Sequence, residues 1–414
     1  MRGAGLGARA LQRAARQHGH RPFTGDLGAP LSFSGVFMTD RIARLKASPS
    51  VAVKEKLDYP VIDTDIHTND YSPALEDFVA TYGGAKLVDD LRKALSSRRR
   101  NAENSSGKDW YTQTPEERQH YRTVRSPWWA RVTRNTLDVA TYHLPSLLAE
   151  RLEEQGSDYS VLFPNNTLAP LAVKDRGARQ ALTRAINHYH ADLFRKYSDR
   201  LTPVAGIPLN TPEEGIEELE FAVKELGLKA INISGGVRRP IKSIAEKYPP
   251  DQHPEIAKYA RQPPPEHRND FAAAGIEKIE DIRDRWVNNF FFGSESDDRT
   301  IAAAFNDKAN PLGAKINAIY SSDVGHWDVP DLTEALAESW NLVEEGIISA
   351  EDFKAYVFEN PYKLYTEANA SFFKGTRVEE KLKQRAQAKG DERRGPQPGA
   401  RSEGSPGKAI EISA

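Results

Sequence analysis

The chain has 414 residues, 39% of them hydrophobic, and a formal net charge of -2, enough for one large core and too balanced for general attraction to nucleic acid or an acidic membrane. It has no cysteine, so disulfides, thiolate metal sites and a cysteine nucleophile are excluded. No apolar run approaches the ~20 residues of a spanning helix.

The first 37 residues carry Arg2, Arg9, Arg13, Arg16 and Arg21 against one acid, Asp26, in an Ala/Gly-rich setting. Such a segment is either an organelle transit sequence, giving a mitochondrial location, or a stretch upstream of a true start at Met38, giving a cytoplasmic one. Residues 1–55 are expected to be a poorly ordered extension. The first strand is predicted over Tyr59 to His67, and its Asp63, Asp65 and His67, two residues apart, would share one face. A carboxylate and an imidazole leaving a strand end together can supply half of a divalent-metal site.

Residues 70–157 are too long for a simple crossover and are expected to form a helical cap containing Trp128 and Trp129. A second strand, Tyr159 to Phe163, stops at Pro164. A helical pattern from Gly177 to Tyr197 leads to a third strand over Leu201 to Pro208. Pro212, Glu213 and Glu214 open another helix, whose Ile216, Leu219, Val223 and Leu226 share one stripe, and Gly227 ends it. Leu228 to Ile233 is a fourth strand. Helices between successive strands imply parallel pairing and an α/β fold. Two later strands, Asn289 to Gly293 and Lys315 to Tyr320, are each followed by acids: Glu295, Asp297 and Asp298 after one, Asp323 after the other. Beyond Gly375 the chain is charged, Gly/Pro/Ser-rich and aromatic-free, so a disordered tail over 375–414 is expected.

Three of these stretches, Val61-Ile-Asp-Thr-Asp-Ile-His67, Phe291-Phe-Gly-Ser-Glu-Ser-Asp-Asp298 and Ser322-Asp-Val-Gly-His-Trp-Asp-Val-Pro330, resemble the amidohydrolase-related (amidohydrolase 2) family. The branch is the one with aminocarboxymuconate-semialdehyde decarboxylase and aromatic-acid decarboxylases. Asn360-Pro-Tyr-Lys-Leu-Tyr365 and Phe372-Phe-Lys-Gly375 resemble its last helix. The resemblance runs from about Leu57 to Gly375 and implies a metal-dependent (β/α)8 TIM barrel with its site at the C-terminal strand ends. It implies Asp65 and His67 as first-strand ligands, and Asp323 as last-strand ligand and proton shuttle. The implied cofactor is a divalent metal, zinc first, with manganese or another ion as alternatives. The implied partner is a small-molecule substrate, with a homo-oligomer possible.

Such proteins use two further histidines, at the ends of the fifth and sixth strands, and none is legible here. His188 and His190 sit in a helical pattern, His120 and His143 in the cap, and His253 and His267 flank Gln262-Pro-Pro-Pro265. The interval 237–288 reads as a shortened helical region. Roughly a hundred residues of a full barrel are then absent, with a junction near Arg261 to Glu266, leaving about six of eight strands in a domain spanning 56–374. The reaction implied is hydrolysis or non-oxidative decarboxylation of a small aromatic or carboxylate-bearing molecule. The alternatives are an impaired barrel remnant that binds without turnover, or an incomplete gene model.

Each residue also has a plainer role. Asp323 suits a helix N-cap, and Asp63 suits an acceptor for nearby backbone amides. Glu295 is either substrate-facing or part of a solvated acidic turn. His326 and Trp327 are expected to line the pocket beside Asp323, or else to be packed. Arg238 and Arg239 could hold a substrate carboxylate through the bidentate fork of guanidinium, or form a solvated loop pair.

Overall fold

The computed structural model describes residues 41–103, 113–121, 136–235, 271, 274–326 and 329–394. The β-branched run at its centre forms β1, Ile62–Thr68. It is followed by β2 Tyr159–Pro164, β3 Leu201–Gly206, β4 Ala230–Asn232, β5 Phe291–Ser294 and β6 Asn317–Tyr320, so all six expected strands form. All pairing is parallel: β1 with β2, β2 with β3, β3 with β4, and β5 with β6. Parallel polarity follows from the helices between strands, among them Arg176–Phe194 between β2 and β3 and Pro212–Glu220 between β3 and β4.

The two sheets meet at β1. Past Tyr320 the chain runs alongside it, with Val324 bridged in parallel to Ile66. Asp323 N–H donates to Asp65 O at 3.1 Å, and His67 N–H to Val324 O at 2.9 Å. Thr64 Oγ1 lies 2.8 Å from both Tyr320 O and Ser321 Oγ. The strands therefore lie in the order β5, β6, β1, β2, β3, β4, with the first and last strands of the domain as neighbours. Among the described residues β4 and β5 have no outer partner, and the sheet is not closed into a barrel.

The core lies at the centre of this sheet. Val61, Ile62, Tyr159, Val161 and Val204 pack with Tyr320, Phe353, Tyr356, Phe372 and Phe373 in one cluster. The edges are different. Of the expected apolar stripe, Ile216, Leu219 and Val223 are 38–59% exposed, as are Ile231 and Ile233 around β4 at 45% and 49%. Beside β5, Ile279, Ile282, Trp286, Phe290 and Phe292 are also exposed. A helical 3-4 spacing records a face suited to burial, and among the described residues no neighbouring layer covers it.

Two expectations are corrected at the termini. Instead of a disordered tail from 375, Arg377–Arg394 is helical. Val378 is fully buried beside the Phe372–Phe373 pair. Arg377, Lys381 and Arg385, one turn apart on a single face, reach Glu153 at 3.1 Å, Asp158 at 3.5 Å and Asp58 at 3.1 Å. Within the expected N-terminal extension, residues 41–47 are helical and Pro49–Lys54 forms a helix capped by Ser48. Arg41 pairs with Glu153 at 2.6 Å and Arg44 with Glu154 at 2.7 Å, while Ser50 and Val53 are buried.

The segment 70–157 carries the helical runs Ser72–Glu103, broken at Gly83 and Gly84, Pro115–Tyr121, Thr136–His143 and Pro145–Arg151. Trp128, Trp129, His253 and His267 lie outside the described residues. Among those described, no helix is long and apolar enough to cross a membrane.

Candidate metal centre

The C-terminal ends of β1, β2 and β6 lie at one end of the sheet, because the three strands are parallel neighbours. Strand β1 does not run evenly there. Its register with β2 shifts between Asp63 and Ile66, an irregularity that re-aims side chains locally.

Asp63 is fully buried and serves as a clamp. Its Oδ1 accepts from Asp65 N–H and Ser322 N–H, each at 3.1 Å. Its Oδ2 accepts from Gln155 Nε2 at 2.6 Å and Ser322 Oγ at 2.5 Å. Burial pushes its pKa up to about 7, against the donors from Ser322 and the Asp65 backbone that favour the charge. With four donors around it, this carboxylate ties β1 to the chain after β6, the acceptor role expected of it.

Two residues on, Asp65 and His67 face the residues that follow β6. His67 Nε2 lies 3.2 Å from Asp65 Oδ1 and 3.0 Å from Asp323 Oδ1. Burial lowers the His67 pKa, but the Asp323 and Asp65 carboxylates outweigh it and lift the value to about 9. For Asp323, burial raises the pKa, and bonds from His326 and His67 override it and hold the value at about 2. Asp65 Oδ1 is buried, and its one close neighbour, His67 Nε2 at 3.2 Å, pairs with it by charge without the alignment of a hydrogen bond. A buried carboxylate oxygen without a hydrogen bond is costly unless a cation satisfies it.

Asp323 takes φ +55, a left-handed conformation that aspartate tolerates better than most residues. Gly325 follows at φ +97, where an added Cβ would lie 2.3 Å from His67 O. Only glycine lets the loop approach β1 so closely. The approach lays His326 on His67, with ring centroids 3.7 Å apart and planes inclined by 23°. His326 Nδ1 is 2.7 Å from Asp323 Oδ2. His326, expected to line the pocket beside Asp323, is in contact with both Asp323 and His67.

Two residues unremarked in the sequence complete the arrangement. Asn165, just past β2, places Oδ1 3.2 Å from His67 Nδ1, and its Nδ2 donates to Asn69 Oδ1 at 3.0 Å. The amide oxygen accepts from Nδ1–H, which turns the Nε2 lone pair of a neutral His67 toward the carboxylates. That is the tautomer a metal-ligating histidine needs. The Asn165-Asn166 pair directly after an apolar strand stopped by proline is the signal that could have revealed it.

Glu295 is exposed just past β5, one strand further from β1 than β6. Asp298 instead caps the short helical turn Arg299–Ile301, accepting from Thr300 N–H at 2.9 Å. Arg238, Arg239 and Trp327 lie outside the described residues. His188 and His190 are in the Arg176–Phe194 helix, where His190 Nε2 is 2.8 Å from Asp70.

The residues at the β1–β6 junction fit a divalent cation. Metal bonds of about 2.0–2.2 Å give coordination edges of roughly 3.0–3.4 Å. The His67 distances to Asp65 and Asp323, 3.2 and 3.0 Å, fall in that range. Ligand atoms of His67, Asp323 and His326 lie within 4.8 Å of one another.

Residues 62–253 match the family model described as amidohydrolase. This part of the chain is similar to the amidohydrolase family. The matched segment contains β1 to β4, hence Asp65, His67 and Asn165, whereas Asp323 and His326 lie beyond the match.

Solved structures of decarboxylases also resemble the chain. A 5-carboxyvanillate decarboxylase from Novosphingobium aromaticivorans, with bound manganese and 3-methoxy-4-hydroxy-5-nitrobenzoic acid, is 14% identical, with TM-score 0.36 over 74% of this chain and 97% of that one. The 2,6-dihydroxybenzoate decarboxylase from Rhizobium is 14% identical, with TM-score 0.38 over 75% of this chain and 99% of that one. A dihydroxybenzoic acid decarboxylase from a Polaromonas species, with manganese and 2-nitroresorcinol, is 16% identical, with TM-score 0.37 over 76% and 99%. No curated protein sequence matches the chain.

Proposed function

We propose that this chain is a divalent-metal-dependent enzyme of the amidohydrolase family, acting by hydrolysis or non-oxidative decarboxylation on a small molecule that bears a carbonyl or carboxylate. The observation that carries the reading is the convergence of Asp65, His67 and Asp323 around the buried Asp65 Oδ1. Asp65, His67 and Asp323 would hold the ion, zinc first and manganese as the alternative. A bound ion of this kind polarises a carbonyl or carboxylate and acidifies water.

The chain's own residues do the rest. Asn165 holds His67 through Nδ1, so the imidazole keeps one orientation while substrate exchanges. Asp323, mostly buried beneath His326, is the group positioned to hold a proton at a carboxylate oxygen. In hydrolysis it takes the proton from attacking water and returns it to the leaving group. In decarboxylation a proton drawn from solvent and relayed through Asp323 passes to the carbon as its bond to the departing CO₂ breaks. Arg238, Arg239 and Trp327, outside the described residues, are kept with Glu295 as proposed substrate contacts, the arginines for a carboxylate.

The exposed apolar flanks of β4 and β5 favour a second reading, a barrel remnant that binds without turnover. Metal analysis and activity separate the two. The enzyme reading expects about one ion per chain, and an Asp323→Asn variant with an unchanged circular-dichroism spectrum and turnover lower by about 10² to 10⁴. A purified protein that neither carries nor takes up a divalent ion would move the remnant reading ahead.

A further inference from the structure

We infer that His326 is itself a ligand of the metal centre, making a site of two imidazoles and two carboxylates drawn only from β1 and the loop after β6. The inference rests on the metal-site reading above. It changes the role of His326 from a residue beside the substrate to one that sets affinity and ion preference.

The geometry leads there in three steps. The loop from Asp323 to His326 is stapled to β1 by the Asp323-to-Asp65 and His67-to-Val324 backbone bonds, so His326 has no freedom to swing far from His67. Gly325 permits an approach that any side chain would block, and its effect is to lay the His326 ring on His67. The two rings then flank one carboxylate, with Asp323 Oδ1 facing His67 Nε2 at 3.0 Å and Oδ2 facing His326 Nδ1 at 2.7 Å. Ligand atoms of all three residues fall within 4.8 Å of one another.

The donor count gives the second argument. Without His326 the set is one imidazole and two carboxylates, an oxygen-rich group that suits harder, more weakly held ions. The other described histidines are engaged elsewhere: His188 with Tyr82, His190 with Asp70, and His143 Nδ1 with Val139 O. His120 lies in the Pro115–Tyr121 helix. His326 is therefore the one described histidine able to raise the imidazole count at His67. A mixed set of two imidazoles and two carboxylates favours a borderline first-row ion such as zinc or cobalt over magnesium or calcium.

The test is binding of zinc, cobalt and magnesium to the full chain after chelator treatment, by competition with a chromophoric chelator and by the visible bands of cobalt. Wild type should bind about one zinc, and far more tightly than magnesium. His326→Phe keeps a stacked ring but has no donor, and should lower zinc affinity by more than about 100-fold, beyond what loss of an outer hydrogen-bond partner costs. His326→Gln retains a weak oxygen donor and should fall between, and the cobalt bands should shift in both variants. Thermal melts of the metal-free proteins report whether each variant folds, and the Gln variant carries the test if the Phe variant does not. Zinc bound at wild-type affinity by a folded variant of either kind would overturn the role of His326 while leaving the metal reading standing. A wild-type chain that binds no zinc would overturn both.

Discussion

Replacing Gly325 with alanine tests how the site is assembled. At φ +97 an L-residue sits in a region that costs about 1–2 kcal/mol. The added Cβ would also lie 2.3 Å from His67 O, 3.0 Å from His67 C and 3.2 Å from His67 Cβ. The first two are backbone atoms of a buried strand and cannot rotate away, so relief requires a shift of β1 or of the loop, and overpacking of this kind costs about 1–3 kcal/mol. The expected loss is roughly 2–5 kcal/mol. Gly227→Ala is the matched control: φ is +71, but an added Cβ meets nothing within 4 Å, so only the conformational part applies. Urea unfolding of the metal-free proteins should place Gly325→Ala below Gly227→Ala by the packing share, and metal affinity should fall in the former alone. Equal midpoints for the two variants, with wild-type metal affinity in both, would refute the close approach of the loop to β1.

Two more outcomes follow from the same structure. Asn165→Leu should lower zinc affinity about 10- to 100-fold by releasing His67 Nδ1, with partial recovery in Asn165→Asp, which keeps an acceptor; an unchanged affinity in the leucine variant would remove Asn165 from the site. The exposed Ile282, Trp286 and Phe292 should drive self-association at micromolar concentration, and Ile282→Lys with Trp286→Gln should reduce it without lowering the unfolding midpoint, as read by light scattering and urea titration. A wild-type chain that stays monodisperse and monomeric would contradict this.

The six strands were legible because each is a short β-branched or aromatic run ended by proline, glycine or an acid, and helices between them settle polarity. The meeting of Asp65 and His67 with Asp323 was legible from a familiar motif pair, and its geometry follows once β1 and β6 are parallel neighbours. Other features were hidden for physical reasons. His326 reaches His67 only because Gly325 takes a positive φ, and a backbone angle has no periodicity to read. Asn165 acts across strands, 98 residues from His67. The Arg377–Arg394 helix is mostly charged, and a buried valine with ion pairs to distant elements holds it, so composition pointed to disorder. Spacing identified Ile216, Leu219 and Val223 as one helical face but could not say whether anything covers it.

The junction between β1 and the end of β6 also has a consequence in time. Thr64 and Ser321, which bond across it, are separated by 257 positions. At about 5–20 residues per second, the ribosome needs roughly 13–50 s after making β1 to supply its missing neighbour. During that interval Asp65 and His67 have no Asp323 or His326 opposite them, and Asp63 lacks two of its four donors. Ion capture therefore waits until the segment after β6 has been made, and the nascent protein must protect one side of its central strand until then.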